Sequence, residues 1–150
     1  MLRHTLATLA YRAGKVLRDA PPEFQAFTPS EGGRSAGQIL AHMCDLMDWS
    51  ISIVEGKQAW KDSQPQAWAG DVQRFFDGLA RFDACLADDV SAAEHLRLFQ
   101  GPVADALTHV GQLAMMRRMA GAPIRPENYF KAEISAGRVG LDQPAPKREF

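Results

Sequence analysis

Asp105 and His109 stand four residues apart in the stretch from Gly101 to Gly121. On a helix that spacing brings a carboxylate and an imidazole out on one face, about one turn from each other. Such a pair can be half of a metal site, an ion pair or a coincidence, and spacing alone leaves all three open. His42 is the third group of interest. It falls three residues after Ile39 and four before Leu46, on an apolar stripe, so its side chain is expected to face the core. A core imidazole needs polar partners. Two imidazoles and a carboxylate suit a first-row divalent ion, and three protein ligands leave a position for water or substrate. Water or a thiol bound to such an ion loses its proton near neutral pH and becomes a strong nucleophile. Gln112, beyond His109, and Asp45, beyond His42, are candidates to orient the imidazoles. Asp45 also reads as a surface acid or a ligand, whereas Cys44 lies on a different face from His42 and is no ligand candidate. No catalytic residue can be assigned: the chain has no nucleophile elbow with a Ser-His-Asp set, no P-loop and no dinucleotide fingerprint.

Four helical segments must position these groups. Over residues 2–18, Leu2, Leu6, Leu9, Ala13, Val16 and Leu17 recur at helical spacing, and Pro21-Pro22 stops the run. His4, near its start, reads as an exposed polar residue. Ser35-Ala-Gly-Gln38 is a capping box, and the helix it opens runs to about Val54 with Gly56 just past its end. A connection of about ten residues, 55–66, follows. From Gln66 or Trp68 a third helix carries Val72, Phe75, Phe76, Leu79, Phe82 and Leu86, and Asp88-Asp89 end it. Its aromatics read as core packing, since only Arg74 and Arg81 accompany them. Ser91-Ala-Ala-Glu94 is a second capping pattern, opening a short turn or helix that includes His95. Gly101-Pro102 is expected to open the helix of Asp105 and His109, and Gly121 with Pro123 to close it. Arg117 and Arg118 then sit in its last turn, where cations complement the helix dipole. Residues 122–150 read as an irregular, extended tail against the bundle or a partner, with room for one short helix around Pro126–Ser135. The expected fold is all-α: a single four-helix-bundle domain, with 1–121 as the bundle and 122–150 as its tail. Facing helices of such a bundle could bring His42 to Asp105 and His109.

Composition excludes several classes. The chain has 150 residues, 46% of them hydrophobic and 23% charged, as in an ordinary globule. A net charge of −1 gives no field that would recruit nucleic acid or an anionic membrane. Cys44 and Cys85 match no metal or redox spacing and read as buried reduced thiols. No apolar stretch approaches the roughly 18 residues of a membrane span, and the N-terminus has no signal-peptide pattern, so the expected location is cytoplasmic.

Ser35-Ala-Gly-Gln-Ile-Leu-Ala-His-Met-Cys-Asp and the later Thr108-His-Val-Gly-Gln-Leu-Ala-Met-Met-Arg-Arg-Met-Ala-Gly-Ala-Pro resemble the DinB-like (YfiT-like) metalloenzyme family. The resemblance runs from the first helix through Gly121 and is most specific over His109–Gly121. It implies that His42 is the first metal ligand and His109 the last. The middle ligand, a histidine in the usual pattern, is Asp105 here. The charge of Asp105 would favour a harder ion, and Zn, Ni, Fe and Mn are the candidates. The resemblance further implies a frequently homodimeric bundle acting on a small-molecule substrate. The implied activity is that of a transferase or isomerase using a low-molecular-weight thiol. A hydrolase would need a general base, for which Asp45 is the only nearby acid. The rival reading is a metal-free binding or dimerisation module with a buried Asp105–His109 pair.

Overall fold

The computed structural model describes residues 1–87 and 91–150. Its α-helices are α1 (Leu2–Leu17), α2 (Ala36–Val54), α3 (Trp68–Cys85), α4 (Ala92–Leu98) and α5 (Ala104–Met119). A π-helical turn, Phe99–Val103, joins α4 to α5 without a break, so the bundle has four rods.

Each rod forms for a local reason. In α1 the helical-spaced leucines and alanines are buried, and Leu6, Leu9, Ala10 and Ala13 are wholly so. The chain leaves the helix at Arg18 in an extended conformation, ahead of the two prolines. Pro22 starts a 3₁₀ turn, Pro22–Ala26, whose Phe24 plugs the core beneath Trp68. The capping box at α2 is complete: Ser35 Oγ accepts the Gln38 N–H, and Gln38 Oε1 accepts the Ser35 N–H. Helices α2 and α3 share the most extensive interface in the bundle. They approach closely at Gly78, where a Cβ would stand 2.9 Å from that of Met47. Helix α3 is described to Cys85; the acidic pair Asp88-Asp89 expected to end it lies outside the described residues.

The start of the last rod differs from the expectation. Gly101 and Pro102 do not open a helix but lie inside one, in the π turn. The wider turn already breaks the i−4 hydrogen-bond ladder, so proline's missing N–H and its ring cost little there. The true N-cap is Ser91, whose Oγ accepts the Glu94 N–H.

Arg117 also does more than complement a dipole. It is 6% exposed, and its guanidinium donates to the carbonyls of Val16, Arg18, Asp19 and Ala122. One side chain thus closes the carbonyl ends of α1 and α5 together. Arg118 is exposed, and so is His4, as expected.

The tail, residues 122–150, packs on α1 of its own bundle. Buried Glu127 accepts from the Tyr11 hydroxyl at 2.7 Å and from Lys15 Nζ at 2.9 Å, and Lys15 also reaches Glu149 at 2.6 Å. Val139 joins the core. Of the short helix expected near 126–135, only the 3₁₀ turn Tyr129–Lys131 forms, where the Asn128 side chain captures the Phe130 N–H.

This latch titrates in alkali. Burial and the Glu127 carboxylate raise the Tyr11 pKa above its ordinary 10.0. Burial opposes the Lys15 charge, but its bonds to Glu127 and Glu149 outweigh that and raise it above 10.5. Both groups hold their proton more tightly when folded. Their contribution is therefore complete below about pH 10 and is lost as pH rises through the folded values. Subtilisin is expected to cut within 122–150 above about pH 10 and not at pH 8, while helical circular dichroism persists. Cleavage independent of pH across that range would refute the latch.

Candidate metal centre

His42, Asp105 and His109 meet between α2 and α5. One donor atom from each lies within 4.8 Å of the other two. His42 Nε2 stands 3.3 Å from Asp105 Oδ2, and His109 Nε2 stands 3.3 Å from Asp105 Oδ1. The imidazole centroids are 4.9 Å apart with the rings nearly perpendicular, at 88°. These three side chains can hold a metal ion. For metal–ligand bonds of about 2.0–2.1 Å, neighbouring atoms of a tetrahedral shell stand about 3.3 Å apart. Each Asp–His separation has the length of that edge, the two running to different oxygens of Asp105.

The sequence sets up this meeting from both sides. On α5, the buried stripe Ala106, His109, Val110, Leu113 and Met116 carries His109 inward. Asp105 follows the π turn by two residues. A π turn admits an extra residue and so rotates everything after it by about 100° relative to an unbroken α-helix. The proline and glycine of that turn therefore help set which way Asp105 and His109 face. On α2, Ile39 and Leu46 turn the helix so that His42 is directed inward, half-buried.

Gln112 lies beside His109. Its Oε1 lies 2.8 Å from His109 Nδ1 and can accept a hydrogen bond from it, which leaves Nε2 as the ring nitrogen turned toward Asp105. Asp45 takes a different role. It is buried, accepts from Arg74 at 2.6 Å and from the Ser63 N–H at 2.8 Å, and bonds to neither imidazole. Arg74 neutralises it: burial works against the guanidinium, but Asp48 and Asp45 hold it protonated. The Cys44 thiol is buried, donates to the Asp71 carbonyl and is pushed far up by desolvation, which leaves it inert. Cys85 is half-buried.

Trp60 completes the site and was not singled out by its position in the sequence. Its ring lies 5.5 Å from that of His42 and 5.7 Å from that of Trp49. It sits on the irregular connection between α2 and α3. That connection is tied down by side chains: Ser52 Oγ accepts the Ala59 N–H, Asp45 the Ser63 N–H, and Asp71 the Gln66 N–H. A tryptophan in a polar connection was the only sequence signal for it. Beside His42 opens a polar cleft of about 250 Å³, lined by Arg34, Gln38, Asp45 and residues 62–65. Asp105 itself is not buried; its side chain is 45% exposed. The triad is thus reachable from solvent. Among the described residues, no helix is long and apolar enough to cross a membrane.

Compared with protein-family models, with curated proteins and with solved structures, the chain gives no match.

Proposed function

We propose that this chain is a DinB-like metalloprotein in which His42, Asp105 and His109 hold one divalent ion, with Zn, Ni, Fe or Mn as candidates. The observation that carries this reading is the facing of His109 and Asp105. His109 Nε2 and Asp105 Oδ1 face each other at 3.3 Å, with Gln112 Oε1 on the ring's other nitrogen. A cation shared between such atoms holds them at that distance, and a divalent ion can take both as ligands. His42 Nε2, at 3.3 Å from the other carboxylate oxygen, supplies the third donor.

When bound, such an ion would lower the pKa of a coordinated water or thiol and polarise a substrate oxygen. The chain's own residues do the rest. Gln112 fixes the His109 ring, Trp60 shields the His42 ring on one side, and the polar cleft admits a small molecule. Transfer or isomerisation with a low-molecular-weight thiol, or with water as nucleophile, is the reaction class this supports. The metal-free module expects a buried Asp105–His109 pair, with the tail providing a partner surface. The exposed carboxylate counts against it.

Trp60 offers a direct test. Co(II) or Ni(II) added to chelator-treated protein is expected to quench Trp60 emission with an endpoint at one ion per chain. Trp60→Phe should remove most of the quenching but keep the metal. His109→Ala should lose the metal itself. Absence of a stoichiometric ion in the wild-type protein would overturn the proposal.

A further inference from the structure

Arg34 stands where two clefts meet. On one side it lines the polar cleft together with Gln38 and His42. On the other it lines a groove of about 320 Å³ with Ile39, Gln112, Met115, Met116 and Met119. Both clefts therefore border the candidate centre, one at His42 and one at the glutamine that holds His109. The groove wall is apolar, and two of its methionines, Met115 and Met119, are more than half exposed at 54% and 53%. Unbranched thioether side chains adapt to an irregular apolar ligand better than branched ones do. Arg34 is exposed, and no ion pair among the described residues uses it.

We propose that these clefts form one binding site for a small amphipathic carboxylate, its anion on Arg34 and its apolar arm along Met115, Met116 and Met119. The charge of the site selects the anion. A guanidinium fork matches a carboxylate with two parallel hydrogen bonds. Asp45 in the polar cleft is already paired with Arg74, and Asp62 lines it as well, so a single negative charge meets less repulsion there than a dianionic phosphate. Taken together the two clefts lie in the size range of small-molecule sites, and a few polar groups beside an apolar wall is their usual composition. The polar end of the ligand would then lie in the cleft beside His42. That this ligand is the substrate rests on the metal reading above; that it binds does not.

Decanoate, below its micellar concentration, is the probe, with decanol and acetate as controls, and calorimetric titration is the measurement. Wild-type protein is expected to bind decanoate in a saturable way, decanol more weakly and acetate not at all. Arg34→Ala should weaken decanoate about tenfold and leave decanol unchanged, as loss of a charge-assisted bond requires. Met115→Asp should weaken both ligands about tenfold or more by placing a charge in the groove. Both positions are exposed, so neither change removes core packing. The same proteins are titrated with Zn(II), which neither variant should affect. Decanoate that fails to saturate, or that binds either variant as it binds the wild type, overturns the carboxylate site whatever the zinc result. Zinc that fails to bind, with decanoate still dependent on Arg34 and Met115, instead removes the metal reading and leaves the groove.

Discussion

Arg117→Met is expected to destabilise the fold by about 3 kcal/mol, lowering the melting temperature by roughly 10 °C. Methionine fills much of the space but cannot donate. Four carbonyls, of Val16, Arg18, Asp19 and Ala122, lose their shared partner. An unpaired buried acceptor costs about 1–3 kcal/mol, and those nearest the surface recover water, so the sum stays below a simple multiple. Burial depresses the Arg117 pKa, and the nearby Asp19 offsets this only in part. The guanidinium nevertheless stays charged, because arginine starts so high. Arg117→Lys should recover less than half of the loss, since one ammonium cannot reach carbonyls fanned around a planar fork. Urea denaturation of the three proteins checks the order: wild type, then Lys, then Met. A methionine variant as stable as wild type would mean that water can replace the fork.

How much of this was legible in the sequence depends on how local each cause is. The capping box at Ser35 and Gln38 is a short-range device, and it formed as read. The leucine spacing of α1 and the aromatic spacing of α3 specify buried faces by period alone, so the all-α bundle followed from them. Pro102 misled because its rule is local while its setting is not. Proline opens helices more often than it sits in a π turn, and only packing of the whole rod selects the second. Arg117 was read as complementing the helix dipole because three of its acceptors, the carbonyls of Val16, Arg18 and Asp19, lie about a hundred residues away. Trp60 was missed for a related reason: an irregular connection has no period, and its course is set by bonds to Ser52, Asp45 and Asp71. Within the centre, Gln112 was readable because it is three residues from His109. Asp45 was not, because its decisive partner, Arg74, is on another helix.

Asp105→Asn is expected to separate a metal ligand from a structural ion pair. Asparagine keeps the shape and removes the charge. If His42, Asp105 and His109 form the centre, the substitution should weaken Zn(II) by at least about 100-fold, since even residues that only support a ligand give 10–100-fold. A metal present at a hundred times its dissociation constant stabilises the fold by about 2.7 kcal/mol, and the variant should lose nearly all of that. In chelator the result should differ. The Asp105 side chain is 45% exposed, and ion pairs at such positions contribute at most about 1 kcal/mol. An asparagine amide can moreover pair with His109 Nε2 as donor or as acceptor. The metal-free variant should therefore melt at the wild-type temperature or slightly above it. A structural pair predicts the reverse in both conditions: a lower melting temperature in chelator and no further effect of zinc. Asp105→His sharpens the comparison, because it supplies the three imidazoles that the family resemblance leads one to expect. It should keep Zn(II), which tolerates a neutral donor set, while Mn(II), which depends on oxygen ligands, is lost. Selective loss of the harder ion would identify the charge of Asp105 as what tunes this centre, a role that no hydrogen-bonded pair could imitate.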